Sequence, residues 1–149
     1  MNRFFSQRPF ALFLAAVGVL TFARTAQAAE RPHFSRGTAQ FTSATTFVGA
    51  GTATHLGLYE EAGTIQLTPT ANPAVFDANA MSTYTAPNGD ELRAVFTGQL
   101  NFATGVVTAT VTYVGGTGRF ANATGTATLS GQLLPGGSLD VSVKGTLNY

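Results

Sequence analysis

From residue 91 onward, apolar and polar side chains alternate one by one. Leu139, Val141, Val143, Gly145, Leu147 and Tyr149 share one parity, and Ser138, Asp140, Ser142, Lys144, Thr146 and Asn148 share the other. The pattern recurs with Leu92, Ala94, Phe96, Gly98, Leu100 and Phe102 against Glu91, Arg93, Thr97, Gln99 and Asn101. It recurs again with Val107, Ala109, Val111 and Tyr113 against Thr108, Thr110 and Thr112, and with Ala127, Leu129 and Leu133 against Thr126, Thr128, Ser130 and Gln132. Successive strand residues point to opposite faces, so a period of two predicts a strand with one buried and one solvated face. Turn residues separate the runs at Asn88-Gly89, Thr104-Gly105 and Pro135-Gly136-Gly137. Asn-Gly predicts a type I′ hairpin, which needs positive φ at both central residues. These four strands read as a meander, each beside its neighbour.

The segment before residue 86 is less regular. It predicts strands over His33–Phe41, Ala53–Glu61, Thr64–Thr68 and Val75–Thr85, with loops around Gly49-Ala50-Gly51 and from Pro69 to Pro73. The total is seven or eight strands, with no helical periodicity after residue 28 to cover a sheet. The chain has no Cys, so packing and backbone hydrogen bonds must hold the fold. An all-β, closed, antiparallel, eight-stranded up-and-down barrel meets that need, because closure removes unpaired edges. A β-sandwich is the alternative.

Residues 1–28 read differently. Arg3 and Arg8 precede an apolar run from Pro9 to Ala23, and Ala26-Gln27-Ala28 supplies the small residues a signal peptidase accepts. The expectation is a Sec signal peptide cleaved after Ala28, one β-barrel domain over 29–149, and a secreted or periplasmic location. The apolar run is short for a membrane span, so none is expected in the mature form. Arg3, Arg8 and Arg24 would leave with the leader, so of eight basic residues five stay against seven acidic ones. A mildly acidic chain with scattered cations is a poor partner for a phosphate backbone, which excludes nucleic acid.

The most distinctive stretch runs Gly115-Gly116-Thr117-Gly118-Arg119-Phe120-Ala121-Asn122-Ala123-Thr124-Gly125. A phosphate loop leads into a helix, and here a strand follows, so that reading is rejected. Gly115, Gly116, Gly118 and Gly125 instead read as a structural connection that lets Phe120 plug one end of the barrel. Arg119 is expected to cap this turn or to pair with a surface carboxylate. Over Tyr113 to Leu129 the chain resembles allene oxide cyclase and dirigent barrels and similar uncharacterised bacterial secreted proteins. The resemblance implies an eight-stranded barrel with a central cavity, trimeric in plant members. It does not carry the activity over: the plant cyclases place a Glu and a water-holding Asn-Ser-Pro group in the cavity, from strands near the N-terminus, and use a cavity Cys, and no matching group is read in this sequence.

Chemistry-bearing residues are few. His55 reads as a structural histidine bonded to a backbone carbonyl at a strand start, and His33 carries still less signal. Glu60-Glu61 reads as a solvated strand end. No catalytic site, metal site or cofactor is expected. Tyr84, Phe96, Phe102, Tyr113 and Tyr149 form the expected inward aromatic set. His55, Tyr84, Phe96 and Tyr113 are the candidate ligand-binding residues. The expected function is a non-enzymatic exported barrel that binds a small apolar molecule or a partner protein. The alternatives are a cyclase or isomerase, by the family resemblance, and a structural envelope component. Two converging ionisable groups inside the barrel would favour the enzyme.

Overall fold

The computed structural model describes residues 29–149; the leader expected over 1–28 lies outside them. The described chain is a closed barrel of eight strands in sequential order. They are β1 (Arg31–Phe41), β2 (Thr46–Ala53), β3 (Gly57–Pro69), β4 (Val75–Thr85), β5 (Glu91–Asn101), β6 (Val106–Gly116), β7 (Thr124–Leu133) and β8 (Ser138–Leu147). Every neighbouring pair is antiparallel, and β1 closes the barrel on β8 with Arg31 opposite Leu147 and Gln40 opposite Ser138.

The alternation decides which face is which. Leu92, Ala94, Phe96 and Leu100 are buried on β5, and Val111 and Tyr113 on β6. Outside, threonines face one another across strands, Thr110 opposite Thr128 and Thr112 opposite Thr126. Such β-branched pairs suit a pleated surface in water.

Several expectations are corrected. Gly49-Ala50-Gly51 is not a loop but the middle of β2. Glycine there serves the neighbours, not a turn. A Cβ on Gly51 would sit 2.7 Å from the Tyr59 hydroxyl, and one on Gly49 would sit 3.1 Å from Glu61 Oε2. The expected break between Glu61 and Thr64 is absent, and β3 runs on to Pro69. Asn88-Gly89 is not a type I′ turn, because only Gly89 has positive φ, 86°. Pro87 holds a φ near −65°, which suits a type I turn closed by Gly89 N–H to Ala86 O. Phe102 does not point inward. It is 48% exposed and packs edge-on against Phe76, with ring centroids 5.3 Å apart.

The two ends of the barrel differ. At one end lie the turns after β2 and β4 and the longer β6–β7 connection. Val114 and Gly115 on β6 lie against Arg93 alone on β5, a bulge in which Gly115 takes φ 94°. The chain then makes a single 3-10 turn, Gly118–Phe120. Phe120 is fully buried there beside Leu56, Ala86, Ala123 and Leu147. This end is plugged. Arg119 lies outside, its Nε 3.4 Å from Asp90 Oδ2 and its guanidinium over the Phe120 ring.

Candidate functional site

At the other end, four turns join the strands and none folds inward. A narrow recess of about 80 Å³, open to solvent at its mouth, runs down the barrel from there. Its walls are apolar, with Phe41, Phe47, Ile65 and Leu139 toward the strand ends and Phe96 and Val143 deeper. Polar side chains on the lining are Tyr59, Glu61, Tyr84 and Thr108. Pockets for small molecules have this composition, a mostly apolar wall with a few placed polar groups.

Glu61 is the unexpected member. Strand parity separates it from Glu60: Glu60 is exposed and Glu61 is buried. Its Oε1 accepts a hydrogen bond from Ser82 Oγ at 2.6 Å, across the β3–β4 pair. Tyr84 stands opposite Glu61 in the register. Tyr59, on the same parity of β3, meets the Tyr84 ring edge-on with centroids 5.1 Å apart. Gly37 and Gly51 leave room for the Tyr59 hydroxyl; a Cβ on either would approach it to 2.6 and 2.7 Å. The glycines of β1 and β2 therefore shape the floor of the recess.

The electrostatics of this floor follow from burial. Loss of water raises the Glu61 carboxyl above the ordinary carboxylate range, opposed by hydrogen bonds from Ser82 and Tyr84. Burial, and then the Glu61 charge, push Tyr59 up to about 12. The same two causes raise Tyr84 well above its ordinary value, and burial with Tyr59 and Glu61 raises Tyr113. All five Arg and Lys side chains among the described residues are exposed on the outside. Glu61 therefore has no cation to hold it ionised.

The candidate residues divide between the two ends. Tyr84 and Phe96 line the recess. Tyr113 is buried toward the plug, its ring 5.2 Å from that of His33. His55 sits in the β2–β3 turn with φ 76°, held by an Nε2–H bond to Pro32 O at 2.9 Å. That carbonyl can only accept, which fixes the tautomer. The expected carbonyl bond is present, in a turn before the strand and not at its start. His33 is buried on β1, and its ring lies 6.1 Å from that of His55. Burial, then the His55 charge, lower His33 to about 4. Among the described residues no three His, Asp or Glu side chains converge as a metal site requires.

Sequence reasoning missed Glu61, Tyr59 and Ser82. The signal was parity: Glu61 shares a face with Tyr59, Ile65 and Leu67, and Ser82 with Ala78, Ala80 and Tyr84. A carboxylate on the apolar parity of a strand is a buried carboxylate. Comparison of the chain with protein-family models, curated proteins and solved structures returns no match.

Proposed function

We propose that the protein is a small exported binder that takes one apolar molecule into the open end of its barrel. The observation that carries this reading is the recess, apolar along its walls and left unfilled while the opposite end is packed shut. An eight-stranded barrel is just wide enough either to fill itself or to hold one small ligand, and this one is filled at one end and leaves room at the other. Export through the leader at residues 1–28 belongs to the proposal, as does assembly into a homo-oligomer.

Native mass spectrometry of protein recovered from the exported fraction tests it. The expected mass begins at Ala29 and carries a co-purified small molecule. Ala80→Leu, which extends a side chain into the recess, should lose that molecule without losing the fold. Wild type that never carries or takes up an apolar ligand would overturn the binding reading.

Glu61 favours a second reading, an isomerase. A buried acid beside Tyr59 and Tyr84 can give a proton to a substrate oxygen and recover it within one turnover, so a rearrangement needs no second reactant. Product formed by wild type and absent with Glu61→Gln, at equal ligand occupancy, would establish it.

A further inference from the structure

Resting on the binding reading, the polar floor of the recess narrows the class of ligand. Glu61 lies below an apolar wall, bonded by Ser82 and approached by Tyr84, with no cation among the described residues beside it. A purely hydrocarbon ligand would need none of this. Burying an unbonded polar group is costly, so a carboxyl facing an apolar space has value where the ligand supplies its partner.

The groups in reach are O–H groups: the Glu61 carboxyl with the hydroxyls of Tyr59, Ser82 and Tyr84. All are neutral while the acid holds its proton; Ser82 gives its proton to Glu61 Oε1, and the carboxyl and the tyrosine hydroxyls can donate. A carboxylate ligand would meet no counter-charge here and would stand next to an acid that its own charge makes harder to ionise. An ammonium ligand would need Glu61 ionised, against the desolvation that disfavours its charged form. An oxygen that only accepts, in a ketone, ester or ether, suits the floor without either cost.

We infer that the recess selects an uncharged apolar molecule with one hydrogen-bond-accepting oxygen, and that the Glu61 carboxyl donates to that oxygen. Ser82 and Tyr84 position the acid through hydrogen bonds, and the Tyr59 ring packs edge-on against Tyr84 beside it. The other titratable groups facing the interior are Tyr113 and, toward the plug, His33; both are neutral at pH 7. Binding of such a ligand therefore weakens as pH rises through the folded Glu61 value, which burial lifts above the ordinary carboxylate range.

The test uses four eight-carbon probes of one shape: octane, octan-2-one, octanoate and octylamine, titrated calorimetrically into the mature protein at pH 7. Octan-2-one should bind at least tenfold tighter than the other three. Glu61→Gln keeps a donor on a side chain of the same size, and should keep the ketone preference within a few-fold. Glu61→Leu should bring octan-2-one down to the affinity of octane. A recess that binds neither octane nor octan-2-one overturns the binding reading itself. Octane and ketone bound equally, or octanoate or octylamine bound best, overturns the inference while leaving that reading in place. If Glu61→Leu fails to fold, the four probes on wild type and Glu61→Gln still decide, because a ketone preference lost in the folded Gln variant also overturns it.

Discussion

Phe120 and Leu147 are wholly out of solvent at the plugged end, while Phe41, Phe47, Ile65 and Leu139 remain partly exposed around the recess. Both ends are built from the same eight strands and the same kinds of residue. What separates them is the length of the connections. The open end has only tight turns, at 42–45, 70–74, 102–105 and 134–137, and a short turn cannot reach across a barrel mouth. The plugged end has the connection from Thr117 to Ala123, long enough to fold one aromatic ring inward. One long loop thus decides which half is core and which half is container.

Phe120→Ala gives the largest expected effect on this contrast. It should cost about 3–5 kcal/mol in thermal or denaturant unfolding, as removal of a buried aromatic does. A variant that melts like wild type would mean that Phe120 is not the plug. Next comes the same enlargement made at each end. Ala123 is 1% exposed, so Ala123→Leu overpacks a full site and should cost about 1–3 kcal/mol. Ala80→Leu grows into open space and should stay within about 1 kcal/mol of wild type. Equal losses would erase the distinction between the ends.

The pH dependence sharpens it further. His33 falls from 6.5 to about 4 in the folded chain. The unfolded state then binds more protons between those values, so this group's stability is full above pH 6.5 and is lost as pH falls toward 4. Glu61 is raised from 4.5. Its contribution is full below pH 4.5 and is lost as pH rises through its folded value. The two ends therefore pull the melting temperature in opposite directions across mildly acidic pH. Glu61→Gln should leave a melting temperature that climbs with pH, and His33→Phe one that declines; matching slopes in both variants would refute the assignment. The smallest effect belongs to Arg119→Ala. Its ion pair with Asp90 is 43% and 22% exposed, and its loss should cost under about 1 kcal/mol of stability, read by thermal melting.

The architecture was legible where each strand keeps one parity apolar, as from Leu92 to Leu147. Closure and the Phe120 plug followed from that alternation and from the spacing of the glycines. The site was legible only in part. Tyr84 and Phe96 stand out as large inward aromatics, but Glu61 hides beside Glu60, where a charged pair looks like a strand end in water. The glycines of β2 mislead for a related reason. Local sequence reads Gly49 and Gly51 as turn residues, whereas their small size is demanded by the β1 backbone at Arg36 and Thr38 and by Tyr59 and Glu61 on β3. A requirement set by a cross-strand neighbour has no mark in the segment that meets it.

The seam between β1 and β8 bears on how such a chain can be made. Every other strand pair joins neighbours in sequence, but this one brings Arg31 against Leu147, and an Arg31 Nη1–H bond reaches the hydroxyl of Tyr149. Closing so long a loop is entropically late. In a chain delivered N-terminus first, β1 waits with a bare edge until β8 arrives. Seven strands can curl, but their outer edges, β1 and β7, stay open to any other chain in the same state. A copy cut short of β8 would therefore act as a template for polymerisation, and not as a weakened monomer.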